Sequence, residues 1–390
     1  MECGMSGEER MQTVSAKPDR HDKPDREAAK VDVILACGGT GGHMFPAFAL
    51  ARELMENNIR VAIHTDERGL RYKAKNLETI PMDLISSATF KKGLKNKIRT
   101  VCILLCGYFE AKRSLRDRDP DLVVGFGGYP SLPTILAAQR EGYQTMLHEQ
   151  NATLGRANLF LSKHADKIAL SVRNVKGFTK DLLQKSVITG NPVREEFVEA
   201  RKTAYTPIRP EGPIRIVVIG GSLGAGVFGE IVPATLASLP AEYRKRLKIV
   251  QQSRAEDQDQ AIKTYKDAGI EAQVEPFLHD VAGHIKDAHV IISRSGASSV
   301  AEITAVGRPA IFVPYPWHKD QQQKINADIV AEHGGGWVIP QDGFTVEVLK
   351  ARLEMFFQNP ALLSAAAEKS RKSGNPEAAK SLTKAVMEML

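Results

Sequence analysis

The sequence predicts an α/β protein made of two Rossmann-like domains whose parallel sheets face a central cleft. Three observations carry this prediction. The apolar run Val31–Cys37 ends in the glycine turn Gly38-Gly39-Thr40-Gly41-Gly42-His43, and a helical pattern with Pro46 near its start then runs to Asn57. The same succession returns at Ile214–Ile219, followed by Gly220-Gly221-Ser222-Leu223-Gly224-Ala225. A third joint takes Val290–Ser293 through Arg294-Ser295-Gly296-Ala297 into a helix that opens at about Ser298 and carries Glu302 in its first turn. Continuous apolar runs are the mark of strands buried on both faces, and two echoing glycine turns imply two sheets.

The bulk composition agrees. A chain of 390 residues has room for about two or three domains. Hydrophobic residues at 43% and charged residues at 25% are ordinary for a soluble globular protein. The net charge of +7 points to an anionic partner, and a membrane surface accounts for it without nucleic acid. Cys3, Cys37, Cys102 and Cys106 form no CxxC pair, which reads as reduced thiols in a cytosolic protein. No stretch approaches the ~18 apolar residues of a membrane span, and the charged N-terminus has no apolar signal core, so the chain is expected to stay on the cytosolic side of any membrane.

In chain order, residues 1–30 are charged and almost without apolar groups, the pattern of a disordered tail. The first domain is expected over 31–193. Its strands begin with Val31–Cys37 and Arg60–Thr65. Between Phe90 and Arg118 apolar residues recur at helical spacing among many Lys and Arg. For Phe90–Arg99 two readings stay open, contact with anionic lipid and a normal amphipathic helix with its apolar stripe in the core; Val101–Phe109 reads as the latter. Further strands follow at Asp121–Val124, Thr145–Leu147, Ile168–Leu170 and Val187–Ile188. The second domain is expected over 194–370, with strands at Ile214–Ile219, Lys248–Ser253, Glu271–Val274, Val290–Ser293, Ala310–Pro314 and Trp337–Ile339. Residues 371–390 form a helix whose apolar face (Ala378, Leu382, Ala385, Val386, Met389) packs back towards the first domain.

Several strand ends carry groups suited to chemistry. The turn before Ala297 puts helix N–H groups and the positive end of a helix dipole where a diphosphate can sit. Glu302 can accept from the two vicinal hydroxyls of a ribose. The glycine turn at Gly38 is not GxGxxG, so a dinucleotide is not implied. His43 closes that turn at the mouth of the sheet. His148, Glu149 and Asn151 offer acid, base and amide groups, and bracing of their loop is the alternative for each. Gln322 and Gln323 suit the hydroxyls of a sugar.

Taken in order, these motifs resemble the MurG family of bacterial glycosyltransferases. The residues that carry the resemblance are Gly38–His43, Gly127-Gly128-Tyr129, His148-Glu149-Gln150-Asn151 with Gly155 and Asn158, Gly190-Asn191-Pro192-Val193-Arg194, Gly220-Gly221-Ser222, Ser293–Ala297, and His318-Lys319-Asp320 with Gln322 and Gln323. The resemblance runs from Val31 to the C-terminus. It implies a GT-B fold and inverting transfer of N-acetylglucosamine from UDP-GlcNAc to lipid I, giving lipid II for peptidoglycan. It implies that Leu278, Ala297, Ser298, Ser299, Val300, Ala301 and Glu302 hold uridine, diphosphate and ribose. Ser222 and Arg194 would meet the donor phosphates, and Asn151, Gln322 and Gln323 the sugar hydroxyls. Thr40, Gly41 and Gly42 would lie beside the donor sugar and the acceptor diphosphate, with Tyr129 and His148 on the acceptor. His43 is the first candidate for the base and Glu149 the second. No carboxylate pair is placed for a metal, so neither metal nor cofactor is expected. The implied location is peripheral, on the cytoplasmic face of the inner membrane, with an anionic membrane surface and cell-wall synthesis proteins as partners. The alternatives are a GT-B transferase with another lipid acceptor and a non-catalytic binding subunit. Two positions depart from the family pattern: Leu223 where Gln is usual, and Gln251-Gln252-Ser253-Arg254 in place of His-Gln-x-Gly.

Overall fold

The computed structural model describes residues 30–72, 79–90, 92–221, 225–318 and 320–390. The expected tail (but for Lys30), Ser222, Leu223 and Lys319 lie outside the described residues. The first sheet has seven strands: β1 (Val33–Ala36), β2 (Val61–Thr65), β3 (Met82–Leu84), β4 (Leu122–Gly125), β5 (Gln144–Glu149), β6 (Lys167–Leu170) and β7 (Ser186–Ile188). The second has six: β8 (Ile214–Ile219), β9 (Leu247–Gln252), β10 (Glu271–Glu275), β11 (Val290–Ser293), β12 (Ala310–Phe312) and β13 (Gly336–Val338). All pairings are parallel, in the orders β3-β2-β1-β4-β5-β6-β7 and β10-β9-β8-β11-β12-β13.

This order places the site. In each sheet the strand order reverses beside the first strand, between β1 and β4 and between β8 and β11. Ligands of open parallel sheets bind outside the carboxyl ends of strands at such a reversal. The turns after β1, β8 and β11 are the three that the sequence singles out. Gly39 has φ +79°, a conformation that suits glycine, and its N–H donates to Asp66 Oδ1 at 2.9 Å. Asp66, at the end of β2, also accepts from Gly69 N at 3.0 Å and Arg68 Nε at 2.8 Å, and so braces the turn.

Strand β3 has no counterpart among the strands expected from the sequence. Three residues with a charge in the middle give no apolar period. Its Asp83 accepts from Arg118 at 2.6 and 2.7 Å and from Ser114 at 2.5 Å. Burial opposes ionisation of Asp83, but the hydrogen bonds from Arg118, His64 and Ser114 outweigh it and hold the carboxyl well below the usual range.

The helix Leu94–Arg118 corrects one expectation. Its apolar stripe is not in the core: Leu94, Ile98, Val101, Leu105 and Phe109 are exposed, and its buried residues are Thr100, Gly107, Ala111 and Leu115. The helix docks through its small residues. A side chain at Gly107 would overlap the Ser86 carbonyl, so the backbones approach too closely for the large residues to face inward.

The chain passes into the second half near Val193, which with Phe197 joins a core around Val217, Ile291 and Phe312. The last helix, Ala378–Met387, returns to the first half. Leu382, Ala385 and Val386 sit in one apolar cluster with Val33, Leu35, Met44 and Leu50.

Candidate active site

The strand ends of the two sheets enclose a cavity of about 740 Å³. Thr40, Gly42 and His43 line it from the first half; Gly220, Gly221, Arg254, Arg294, Ala297, Ser298, Ser299 and Gln323 line it from the second. A second cavity of about 340 Å³ adjoins it, lined by Gly127, Gly128, Tyr129, Glu149, Arg156, Asn158 and Trp317. His43, Gln150, Asn151, His318 and Gln322 line both, so the two spaces meet at these residues.

His43 is oriented for proton transfer. Its Nδ1 lies 2.8 Å from the carbonyl oxygen of Phe126. A carbonyl only accepts, so Nδ1 carries the hydrogen and Nε2 keeps a free lone pair. Burial lowers the imidazole's proton affinity below its usual 6.5, while the Phe126 and Gln150 contacts partly restore it. The ring is therefore neutral at physiological pH, the form a base needs. Turnover through His43 is expected to hold constant across neutral pH and to fall only below 6.5. A pH–rate profile with its acid limb above that value would remove His43 from the role.

Two helix N-termini face the larger cavity, those of Gly41–Glu56 and Ala297–Val306. Neither has a side-chain cap hydrogen bond at Thr40 or Gly296. They meet where Ser298 Oγ donates to Gly42 O at 3.2 Å. Backbone N–H groups and helix dipoles here suit a diphosphate. Gln323 Oε1 accepts from the N–H of Tyr315 at 3.0 Å and of Ser295 at 3.3 Å, so its oxygen is held by the backbone. Gln322 Nε2 lies 3.2 Å from His318 Nδ1.

Helical periodicity divides the stretch 297–302. Ala297, Ser298 and Ser299 line the main cavity. Val300 and Ala301 face away, into a small cavity of about 110 Å³ beside Asn191 and Asn326. Glu302, four residues after Ser298 and on the same face, points at the first half. There the Glu302 Oε1 accepts from Arg194 at 3.0 and 3.1 Å, and the Arg194 guanidinium lies 4.4 Å from the Phe45 ring centre. Burial raises the Glu302 carboxyl and Arg194 counters it. Neither Arg194 nor Glu302 lines the main cavity; each is held by the other. Leu278 has its side chain buried and lines neither cavity, and Gly41 is buried against Phe45.

The loop after β5 carries two further expected site residues, both buried. His148 is fully buried, with Nε2 donating to Gly190 O at 3.1 Å and the ring against Phe126. Burial pulls it down to about 4, so it is neutral at physiological pH. Glu149 is buried too. Its Oε1 accepts from Asn151 N at 3.0 Å and Nδ2 at 3.3 Å, and its Oε2 from Gly155 N and Asn158 Nδ2, both at 2.9 Å. Burial raises this carboxyl and the donors lower it. These four hydrogen bonds brace the loop. Tyr129 does line the smaller cavity, and its ring meets Phe90 edge-on at 6.0 Å.

Several residues of the site have no role assigned from the sequence. Arg294 donates to the carbonyls of Val313 (2.9 Å) and Pro314 (3.1 Å) and to Gln341 (2.5 Å), tying the turn after β11 to that after β12. Trp317 stands next to His318-Lys319-Asp320 but has no role assigned from that motif, and Gln341 and Asn326 belong to none of the motifs read from the sequence. Among the described residues no group of three or more His, Cys, Asp or Glu side chains converges as a metal site would need.

Comparison with known proteins fits this geometry. Residues 33–170 match the glycosyltransferase family 28 N-terminal domain, and residues 215–382 match the family's C-terminal domain. The chain is 45% identical to the UDP-N-acetylglucosamine–N-acetylmuramyl-(pentapeptide) pyrophosphoryl-undecaprenol N-acetylglucosamine transferase of Rhodospirillum centenum, over 91% of this chain and 93% of that one. It is 41% identical to the enzyme of the same name from Paramagnetospirillum magneticum, over 92% and 96%. The crystal structure of Acinetobacter baumannii MurG superposes with a TM-score of 0.72 at 28% identity, covering 92% of this chain and 99% of that one. The calicheamicin glycosyltransferase CalG4, at 16% identity and a TM-score of 0.62, shares the GT-B fold alone.

Proposed function

The chain belongs to glycosyltransferase family 28, and from that membership we propose that it moves N-acetylglucosamine from UDP-GlcNAc to lipid I, forming lipid II, in the cleft between its two sheets. The observation that carries the site assignment is the position of His43, with its free Nε2 where the two cavities meet.

The larger cavity takes the donor. The N–H groups at Gly42 and at Ala297–Ser299 hold the diphosphate, and Asn151, Gln322 and Gln323 read the sugar hydroxyls. The smaller cavity takes the acceptor sugar, with Tyr129 on its wall. The MurNAc 4-hydroxyl approaches C1 of the donor sugar from the side of the smaller cavity. Its proton passes to His43 Nε2 as the new C–O bond forms, and the old C1–O bond breaks with its electron pair leaving on UDP. Attack from the side opposite the leaving group inverts the anomeric centre. The helix N-termini stabilise the charge that develops on the diphosphate, which makes a metal unnecessary. Glu302 exchanges Arg194 for the ribose hydroxyls when donor binds, and the freed Arg194 turns to a phosphate.

The lipid carrier of the acceptor needs a surface to work at. Phe90, Leu94, Ile98, Val101, Leu105 and Phe109 are exposed, with Lys92, Lys95, Lys97 and Arg99 beside them. Among the described residues no helix is long and apolar enough to cross a membrane. An exposed apolar stripe rimmed by cations suits the headgroup region of an anionic bilayer. The Phe90–Tyr129 contact joins this surface to the acceptor cavity. We therefore place the protein on the cytoplasmic face of the bacterial inner membrane, where cell-wall synthesis proteins are candidate partners.

The test is transfer of labelled N-acetylglucosamine from UDP-GlcNAc to a short-chain lipid I analogue with a chelator present. A β1→4-linked product is expected, and it reports donor, acceptor, inversion and metal independence together. Tight UDP-GlcNAc binding without product would favour a different acceptor or a binding subunit. Product only without chelator would refute metal independence.

A further inference from the structure

Asn326 stands outside every motif in the sequence, yet it joins the two halves of the site. It lies on the helix Gln322–Glu332 and is buried. Its Oδ1 accepts from the backbone N–H of Ala152, in the first half, at 3.0 Å. A backbone N–H can only donate, so the orientation of this carboxamide is settled by its partner. Its Nδ2 then faces Asn151 Oδ1 at 3.2 Å and Ser295 O at 3.2 Å. Asn151 is oriented by the same logic. Its own N–H and its Nδ2 both go to Glu149 Oε1, which leaves Oδ1 towards Asn326. One chain of hydrogen bonds thus runs Glu149–Asn151–Asn326–Ser295, starting in the first half and ending in the second. Ser295 immediately precedes Gly296, the N-cap of the helix that opens the diphosphate cradle. Asn151 lines both cavities.

We propose that Asn326 is a positioning residue: it fixes the Asn151 carboxamide in one orientation and ties it to the Ser295 turn, so that the sugar is read in register with the diphosphate only when the two halves are closed on each other. The inference rests on the donor assignment above. Its consequence is selectivity. An amide locked at one angle distinguishes a hydroxyl from its epimer, whereas a free amide rotates to serve either.

The substitution Asn326→Asp keeps the bond from Ala152 N–H and removes both donations. The second oxygen then faces two acceptor oxygens and drives Asn151 to turn. For purified Asn326→Asp and Asn326→Ala, the ratio of kcat/KM for UDP-GlcNAc over UDP-GalNAc is expected to fall about tenfold or more. These donors differ in the orientation of one hydroxyl. The Kd of UDP, which has no sugar, should change less than about threefold, because the cradle itself is intact. Asn151→Ala should lose the same selectivity, and the Asn151→Ala/Asn326→Ala double variant should lose no more. Unchanged selectivity would overturn the proposal. So would losses that multiply in the double variant, or UDP binding that weakens in parallel with KM, since those mark a merely structural contact. Should Asn326→Asp fail to fold, Asn326→Ala and Asn326→Ser carry the same comparison. Failure of the wild-type protein to use UDP-GlcNAc at all would refute the donor assignment instead.

Discussion

Replacing His43 with alanine is expected to lower kcat by about 10²–10⁴-fold while the Kd of UDP stays within about twofold, the range for loss of a positioned base that does not contact the nucleotide. The physical reason is the placement of one proton. Phe126 O fixes the hydrogen on Nδ1, which leaves Nε2 as the free lone pair at the junction of the cavities. Among the described residues no other side chain on that shared wall can do the same. Gln150 and Asn151 are amides, Gln322 likewise, and His318 Nδ1 faces Gln322 Nε2. The ring can be removed without collapse of its support, because Phe126 O still accepts from Gln150 Nε2 at 2.7 Å. The loss should therefore appear in kcat and not in folding. Steady-state kinetics with UDP-binding calorimetry checks this, and unchanged kcat would move the base elsewhere.

Replacing Glu149 with alanine should fail in a different way. Four donor groups, Asn151 N and Nδ2, Gly155 N and Asn158 Nδ2, lose this acceptor. Each buried donor left unpaired costs about 1–3 kcal/mol, so the loop that carries Asn151 and Arg156 should loosen by several kcal/mol in all. The expected result is a clear drop in thermal midpoint together with weakened turnover. Glu149→Gln should be milder, since its oxygen can still serve one edge. The two substitutions separate chemistry from architecture. His43→Ala spares stability and loses turnover; Glu149→Ala loses both. If Glu149→Ala kept the thermal midpoint and still abolished turnover, the base would be Glu149.

The layers of the fold were legible in the sequence because they depend on local pattern. Strands buried on both faces must be apolar throughout, and tight turns that approach a ligand must be glycine-rich. Among the described residues twelve of the thirteen strands lie where the sequence places a strand, the central ones by that rule; the edge strands β7 and β10 are only partly buried. The exception, β3, is short, at the edge of its sheet and held by Asp83 to Arg118 across sequence, which no window of neighbours reveals. The helix Leu94–Arg118 shows the opposite limit. Its apolar period marks a helix correctly but cannot say which way the stripe faces; that was decided by Gly107 meeting Ser86.

The site divides along the same line. Sequence alone determined which residues stand at strand ends and helix starts: His43, Thr40, Gly42, Ala297, Ser298, Ser299, Gln322 and Gln323 all reach the cavity because those positions are fixed by the chain's own connectivity. What a side chain does there depends on partners far away in sequence. Burial made His148 a core residue, four converging donors made Glu149 a brace, and a charge more than a hundred residues distant paired Arg194 with Glu302. Only the tertiary structure brings Asn326 to Asn151, because a hydrogen bond between a helix residue of one half and a loop residue of the other leaves no periodicity in either segment.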